Sequence, residues 1–229
     1  VWQELRTELH PKGLEIVTVA LDVAGAEAAG PFIDYAKPEH PSLIDEAHLL
    51  DELLGVVNVP SGIWVDEQGV IVRPPEPAFP GRAVIAELPI PADAPPRILE
   101  MMQEAAKIRI DPARYAAALR DWVDKGADSR HALSPGEVVA RSTPRPAETS
   151  KAAACFELGQ HLHRAGHPAD AVPWFREAHR LQPTNWTYKR QAWELVDPIL
   201  QGPSDEYDGD WLSDVRRFGP ESYYPPVDV

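Results

Sequence analysis

The sequence predicts two units, an α/β unit followed by an α-helical one. Up to residue 108, short β-branched runs alternate with amphipathic helical stretches, the order that builds a sheet covered by helices. Beyond it, apolar residues recur only at helical spacing. Within that second part, Ala152 to Asn185 carries small and large residues in the pattern of one helix–turn–helix unit. With 229 residues, 44% of them hydrophobic, the chain is long enough to bury cores in both.

The opening VWQELRTELHPKG reads as a helix already under way. Trp2, Leu5 and Leu9 share one face, and Pro11 and Gly13 end the run. A chain that starts on Val1 inside a helix leads to the expectation that sequence upstream is missing. Leu14 to Val23 is apolar, β-branched and short, as in a buried parallel strand, and Ala24-Gly25 turns the chain. Ala26 to Ala36 predicts a helix ending before Pro38. Asp45 to Leu54 predicts another, with Leu49, Leu50, Leu53 and Leu54 as its apolar side and Gly55 as its stop. Ile63 to Asp66 and Val70 to Arg73 form a hairpin around Glu67-Gln68-Gly69.

From Pro74 to Pro96 prolines are dense enough to oppose ladder pairing, so a wrapping loop is expected, with a short extended piece at Val84 to Leu88. Ile98 to Ile108 predicts the helix that closes the first unit. Asp111 as N-cap and Pro112 at the first position open a helix through Val123, with Tyr115, Leu119, Trp122 and Val123 on its apolar face. Ser134 to Arg141 is a shorter helix and Thr143 to Ser150 a linker. In the 34-residue window Ala152 to Asn185, Cys155, Leu158-Gly159, Leu162, Ala171, Phe175, Ala178 and Pro183 stand in register with a tetratricopeptide repeat, which this window resembles. Gly159 and Ala171 are small where two helices cross, and Phe175 fills the space beside them. No second repeat follows or precedes, so the hairpin must pack on Trp186 to Leu195 and on the 111–124 helix. The expected organisation is 1–108, 109–150 as connecting helices and linker, 151–197 as hairpin plus helix, and 198–229 as an extended tail.

The stretch SLIDEAHLLDELLGVVNVPSGIWVDEQGVIVRP, Ser42 to Pro74, holds a helix, Val59-Pro60-Ser61, a hydrophobic strand ending in Asp66, and a D-x-x-G hairpin. In this it resembles the second half of a thioredoxin-like fold of the TlpA/ResA (redoxin) family. The resemblance implies an α/β three-layer sandwich, a cis bond at Val59-Pro60, and a substrate groove lined by Val59, Pro60 and Ser61 that takes a peptide as an added strand. It also implies thiol–disulfide oxidoreductase activity on a protein or peptide substrate. The family's C-x-x-C motif is absent, and so is the central strand that carries it, so the sandwich is incomplete. Leu14–Val23 and Ile63–Asp66 should flank a slot roughly 9–10 Å wide, two strand spacings. Unpaired buried backbone groups cost about 1–3 kcal/mol each, against a domain stability of about 5–15 kcal/mol. The strand and its thiols, C-x-x-C or a selenocysteine variant, are therefore expected upstream of Val1, ahead of supply by another chain or re-pairing of the sheet. The alternative is a redox-inert scaffold whose helical hairpin binds a partner. A peroxiredoxin-like peroxidase is a third reading, its cysteine also upstream.

The residues given carry no catalytic group of their own. Cys155, the single cysteine, falls inside the first helix of the hairpin as a small apolar core residue. Of eight histidines, His161 and His163 point about 200° apart on a helix and His167 lies in the turn. With His179 they are expected as surface residues, and neither a metal nor another cofactor is expected. Asp45/Glu46 and Asp51/Glu52 read as solvated helix faces. The aromatic stretch Tyr207 to Tyr224 reads as a strap over the helices. A formal charge of −14 disfavours nucleic acid, and no apolar run reaches the 18 residues of a membrane span. With no signal segment at the start, a cytoplasmic location is the expectation.

Overall fold

Leu5 and Leu9 of the first helix are buried against a tryptophan and a tyrosine that arrive from residues 64 and 115, and this contact sets the first core. The structure, a computed structural model, describes residues 1–81, 94–142, 144–197 and 201–229. It is mixed α/β and about 54% helical. Helix α1 (Trp2–Leu9) ends in a 3₁₀ turn at His10–Lys12, closed by Gly13 at φ 103°. Then follow β1 (Thr18–Leu21), α2 (Ala26–Ala36), β2 (Ser42–Asp45), α3 (Leu49–Leu54), β3 (Ser61–Val65) and β4 (Ile71–Pro77).

The strands make two separate two-stranded sheets. β1 pairs with β2 in parallel, Thr18 opposite Ser42 through Leu21 opposite Asp45. β3 pairs with β4 antiparallel. Among the described residues no ladder joins β1 to β3, so each is bonded on one side only. The Leu14–Val23 run thus yields a shorter strand than expected, and all four of its residues are half-buried rather than buried. A parallel strand with one neighbour lacks the packing that covers such strands on both faces.

Three local expectations are corrected here. The predicted 45–54 helix is split: Ser42–Asp45 extends as β2, and the Asp45 carboxylate turns back to accept the Leu50 N–H at 2.9 Å, starting α3. The helix is also rolled the other way. Leu49 and Leu53 are exposed while Asp51 is 3% exposed, so the Asp51/Glu52 pair is not a solvated face. And β4 runs on through Pro74 and Pro75 to Pro77, because an edge strand needs few donors and the register shifts between Gly62 and Trp64 absorb the prolines. The expected extended piece at Val84 to Leu88 lies outside the described residues.

Helices α4 (Pro96–Ala105), α5 (Pro112–Lys125) and α6 (Pro135–Arg141) follow. α5 starts as its sequence dictates, the Asp111 carboxylate accepting the Arg114 N–H at 3.0 Å. Its Tyr115, Ala118 and Leu119 complete the first core with Leu5, Leu9, Trp64 and Val72. Trp64 Nε1–H donates to the Tyr115 hydroxyl at 3.0 Å, and burial pushes that phenol up to about 12. A Cβ on Gly62 would sit 2.6 Å from the same hydroxyl, so this approach requires glycine. α4 does not close the first unit as expected. Met101 and Ile108 pack into the C-terminal core, and Glu100 and Glu104 pair with Arg216 at 3.0 and 3.3 Å.

That second core holds α7 (Ala147–Arg164), α8 (Pro168–Leu181), α9 (Trp186–Glu194), α10 (Trp211–Phe218) and α11 (Pro220–Tyr223). α7 begins inside the predicted 143–150 linker. α7 and α8 form a hairpin in which the Phe175 ring lies on Gly159, where an added Cβ would stand 2.8 Å from it. Phe156 stacks on Tyr188 of α9 at 4.1 Å. The tail is not extended throughout. Asp210 accepts from the Leu212 and Ser213 N–H groups at 2.8 and 3.1 Å and starts α10. Gly209 and Gly219 stand just outside that helix. Lys189 of α9 and Asp214 of α10 form a buried ion pair at 2.7 Å, the ammonium lying 5.2 Å from the Trp186 ring and 5.1 Å from that of Phe218.

Candidate functional site

The loop from Val57 to Ser61 connects α3 to β3, and its Val57, Val59 and Pro60 carbonyls are engaged by other parts of the chain. The Val57 carbonyl accepts from the first amides of α9, Trp186 at 2.7 Å and Thr187 at 3.4 Å, satisfying a helix N-terminus. Asn58 Nδ2 donates to the Tyr223 carbonyl at 2.7 Å, and Asn58 Oδ1 accepts the Val59 N–H at 2.9 Å. The Val59 carbonyl accepts from the Tyr224 hydroxyl and from Arg190 Nη1 at 3.5 Å. The Val59-Pro60 bond is cis. Beyond it, the Pro60 carbonyl accepts the Ala78 N–H at 3.2 Å, and Ser61 Oγ donates to the Glu76 carbonyl at 3.2 Å. Val59, Pro60 and Ser61 therefore sit together at the head of β3, under the C-terminal segment.

A cavity of about 830 Å³ lies against β1. It is walled by Ala28, Phe32 and Ile33 of α2, by Trp2 of α1 and by Leu195 just after α9. Its size and mostly apolar lining are those of a cleft that could take a small ligand. None of Val59, Pro60 or Ser61 lines it. Glu194 at its edge is raised above the usual carboxylate range by burial, with Asp22 adding to the effect.

Cys155 is 5% exposed, inside α7, and burial raises its thiol above the usual value. A thiol so placed holds little thiolate and meets no substrate. The buried polar groups lie elsewhere, in a cluster that sequence reasoning missed. The His48 ring packs edge-on against Phe156 at 5.1 Å, and its Nδ1 meets Gln160 Nε2 at 2.9 Å. Burial holds His48 down at about 4, so the ring is neutral. Close in sequence, Asp51 has no hydrogen-bond partner on either carboxylate oxygen among the described residues; the nearby Thr187 hydroxyl donates to Asn185. Burial pushes Asp51 up to about 7, opposed by the nearby Thr187 hydroxyl and reinforced by the negative Asp45.

The histidines are not all at the surface. His179 is buried between Trp193 and Tyr207, and burial lowers it to about 4. His161 and His167 are exposed. Among the described residues no group of three or more His, Cys, Asp or Glu could hold a metal ion. Among the same residues no helix is long and apolar enough to cross a membrane. The partners of the Val59 loop, Arg190 and Tyr224, had one sequence signal only, the aromatic density of the tail. Nothing in their spacing pointed to residue 59. Compared with known proteins, the chain matches no family model, no curated protein and no solved structure.

Proposed function

We propose that the α/β part is a thioredoxin-like unit of a TlpA/ResA-type thiol–disulfide oxidoreductase, joined to a tetratricopeptide-like helical hairpin. The catalytic thiols are supplied from outside these residues, and Val59, Pro60 and Ser61 hold the substrate backbone. The observation that supports this most is the division of the strands into two half-sheets. β1 and β3 are each bonded on one side, and an apolar cavity lies against β1. Such an arrangement suits an α/β sandwich that awaits a central strand. By this reading the chain reduces no disulfides alone, because its one thiol is buried and protonated.

The test is a reductase assay on an insulin-type substrate. No turnover is expected from the 229-residue chain. Turnover is expected once an apolar strand ending in W-x-x-x-C-x-x-C is joined ahead of Val1, and it should survive Cys155→Ser. Turnover by the chain alone that disappears in Cys155→Ser contradicts the proposal. A second reading, a redox-inert module that binds a partner through its helical hairpin, draws support from the engaged state of the Val59 carbonyl. It predicts no turnover from either protein.

A further inference from the structure

The geometry points to an autoinhibitory cover: the C-terminal segment at Tyr223 and Tyr224 occupies the Val59–Pro60–Ser61 loop, and a substrate segment has to displace it. This rests on the proposal above that the loop receives an extended backbone. A strand added at this point needs the Val59 carbonyl as an acceptor. That carbonyl is already taken by the Tyr224 hydroxyl and approached by Arg190. One residue earlier, Asn58 grips the backbone carbonyl of Tyr223 at 2.7 Å, across 165 positions of sequence. The loop thus holds main chain of the segment through the Asn58 side chain, while the segment's Tyr224 side chain takes the carbonyl that a substrate backbone would use.

The cover is held by its rings as well as by these hydrogen bonds: Tyr223 and Tyr224 are buried in the second core. Tyr223 sits edge-on to Trp186 at 4.6 Å and Tyr224 edge-on to Phe79 at 4.9 Å. Its helix is only four residues long, entered at Gly219 and followed by the exposed Pro225 and Pro226. Arg190, stacked 5.3 Å from the Tyr223 ring, carries a buried Nε–H with no acceptor among the described residues, a donor available to an incoming carbonyl.

The test uses the full chain and a fluorescein-labelled peptide of alternating valine and serine around one cysteine. Tyr224→Phe removes the hydroxyl that reaches Val59 and keeps the ring on Phe79. Tyr207→Phe, which deletes a tail hydroxyl far from the loop contacts, is the control. Because a competitor lowers apparent affinity by the covered fraction, the peptide should bind Tyr224→Phe about 5- to 10-fold tighter than wild type or Tyr207→Phe. Saturating peptide should also expose the Tyr223 and Tyr224 amides to hydrogen exchange. Equal affinity in all three proteins overturns the cover alone, as does tighter binding that leaves those amides protected. If none binds the peptide while the tail amides of Tyr224→Phe already exchange freely, the substrate-loop reading fails and takes the cover with it.

Discussion

Replacing Lys189 with methionine is expected to destabilise the protein by about 3–5 kcal/mol, the cost of leaving a buried charge unpaired. The Lys189 and Asp214 side chains are 6% and 9% exposed, and their contact is 2.7 Å. Burial lowers Lys189, the Asp214 carboxylate opposes that loss, and the positive Arg217 adds to it. Removing the ammonium strands Asp214 beside Gly209, where its oxygens already stand 2.9 Å from the position of a Cβ. The ammonium also lies over the Trp186 and Phe218 rings, so α9 and α10 lose their joint centre together. Urea unfolding of Lys189→Met against the double variant Lys189→Met/Asp214→Leu separates the causes. The double variant should regain most of the loss, because a buried pair replaced by apolar groups is often close to neutral. A double variant as unstable as the single one would mean that packing, not charge, was lost.

The second large effect runs the other way. Asp51→Asn should stabilise the protein at pH 8 by on the order of 4 kcal/mol, taking about 1.4 kcal/mol per pK unit. Asp51 ionises near 3.8 when unfolded and at about 7 when folded. Below the unfolded value both states are protonated and no cost exists. As pH rises to about 7 the unfolded chain releases its proton first, stability falls, and the full cost remains above 7. The gain from asparagine should therefore shrink as pH drops from 7 to 4. His48 and His179 work in the opposite sense, since both fall from 6.5 unfolded to about 4 folded. The stability they contribute is present above 6.5 and lost as pH falls toward 4. In Asp51→Asn the histidine loss stands without the aspartate relief, so the variant should lose stability on acidification more steeply than wild type. Parallel acid profiles would place Asp51 in contact with water.

What was legible from the sequence was local. The Ala26–Ala36 helix, the Asp111-Pro112 helix start and the D-x-x-G turn were readable because their signals lie within a few residues of one another. At that turn Asp66 Oδ1 accepts from Gln68 and Val70, and Gly69 takes φ 78°. The contact of Phe175 with Gly159 was readable for the same reason, since a small residue and a large one recur at the spacing of two crossing helices. What was hidden depends on distant partners. α3 buries Asp51 rather than Leu49 because the pairing of β2 with β1 fixes its roll. α4 joins α10 because Glu100 and Glu104 find Arg216, more than a hundred residues on. The cover on Val59 is of this kind too: its two halves are far apart in sequence, and no local period links them.

Among the described residues β1 pairs with β2 alone, and the proposal requires its other edge to be open to a strand from outside these residues. Because the Thr18 N–H donates to the Pro41 carbonyl at 3.0 Å, Thr18 and Ala20 turn their amides toward β2, and Val19 and Leu21 turn theirs away. Residue-resolved amide exchange of the chain should show this as an alternation, Ala20 protected and Val19 and Leu21 exchanging rapidly. Uniform protection across Thr18–Leu21, with cross-strand proximity between Val19 and β3, would mean that the two half-sheets are one closed sheet, and the account would be wrong.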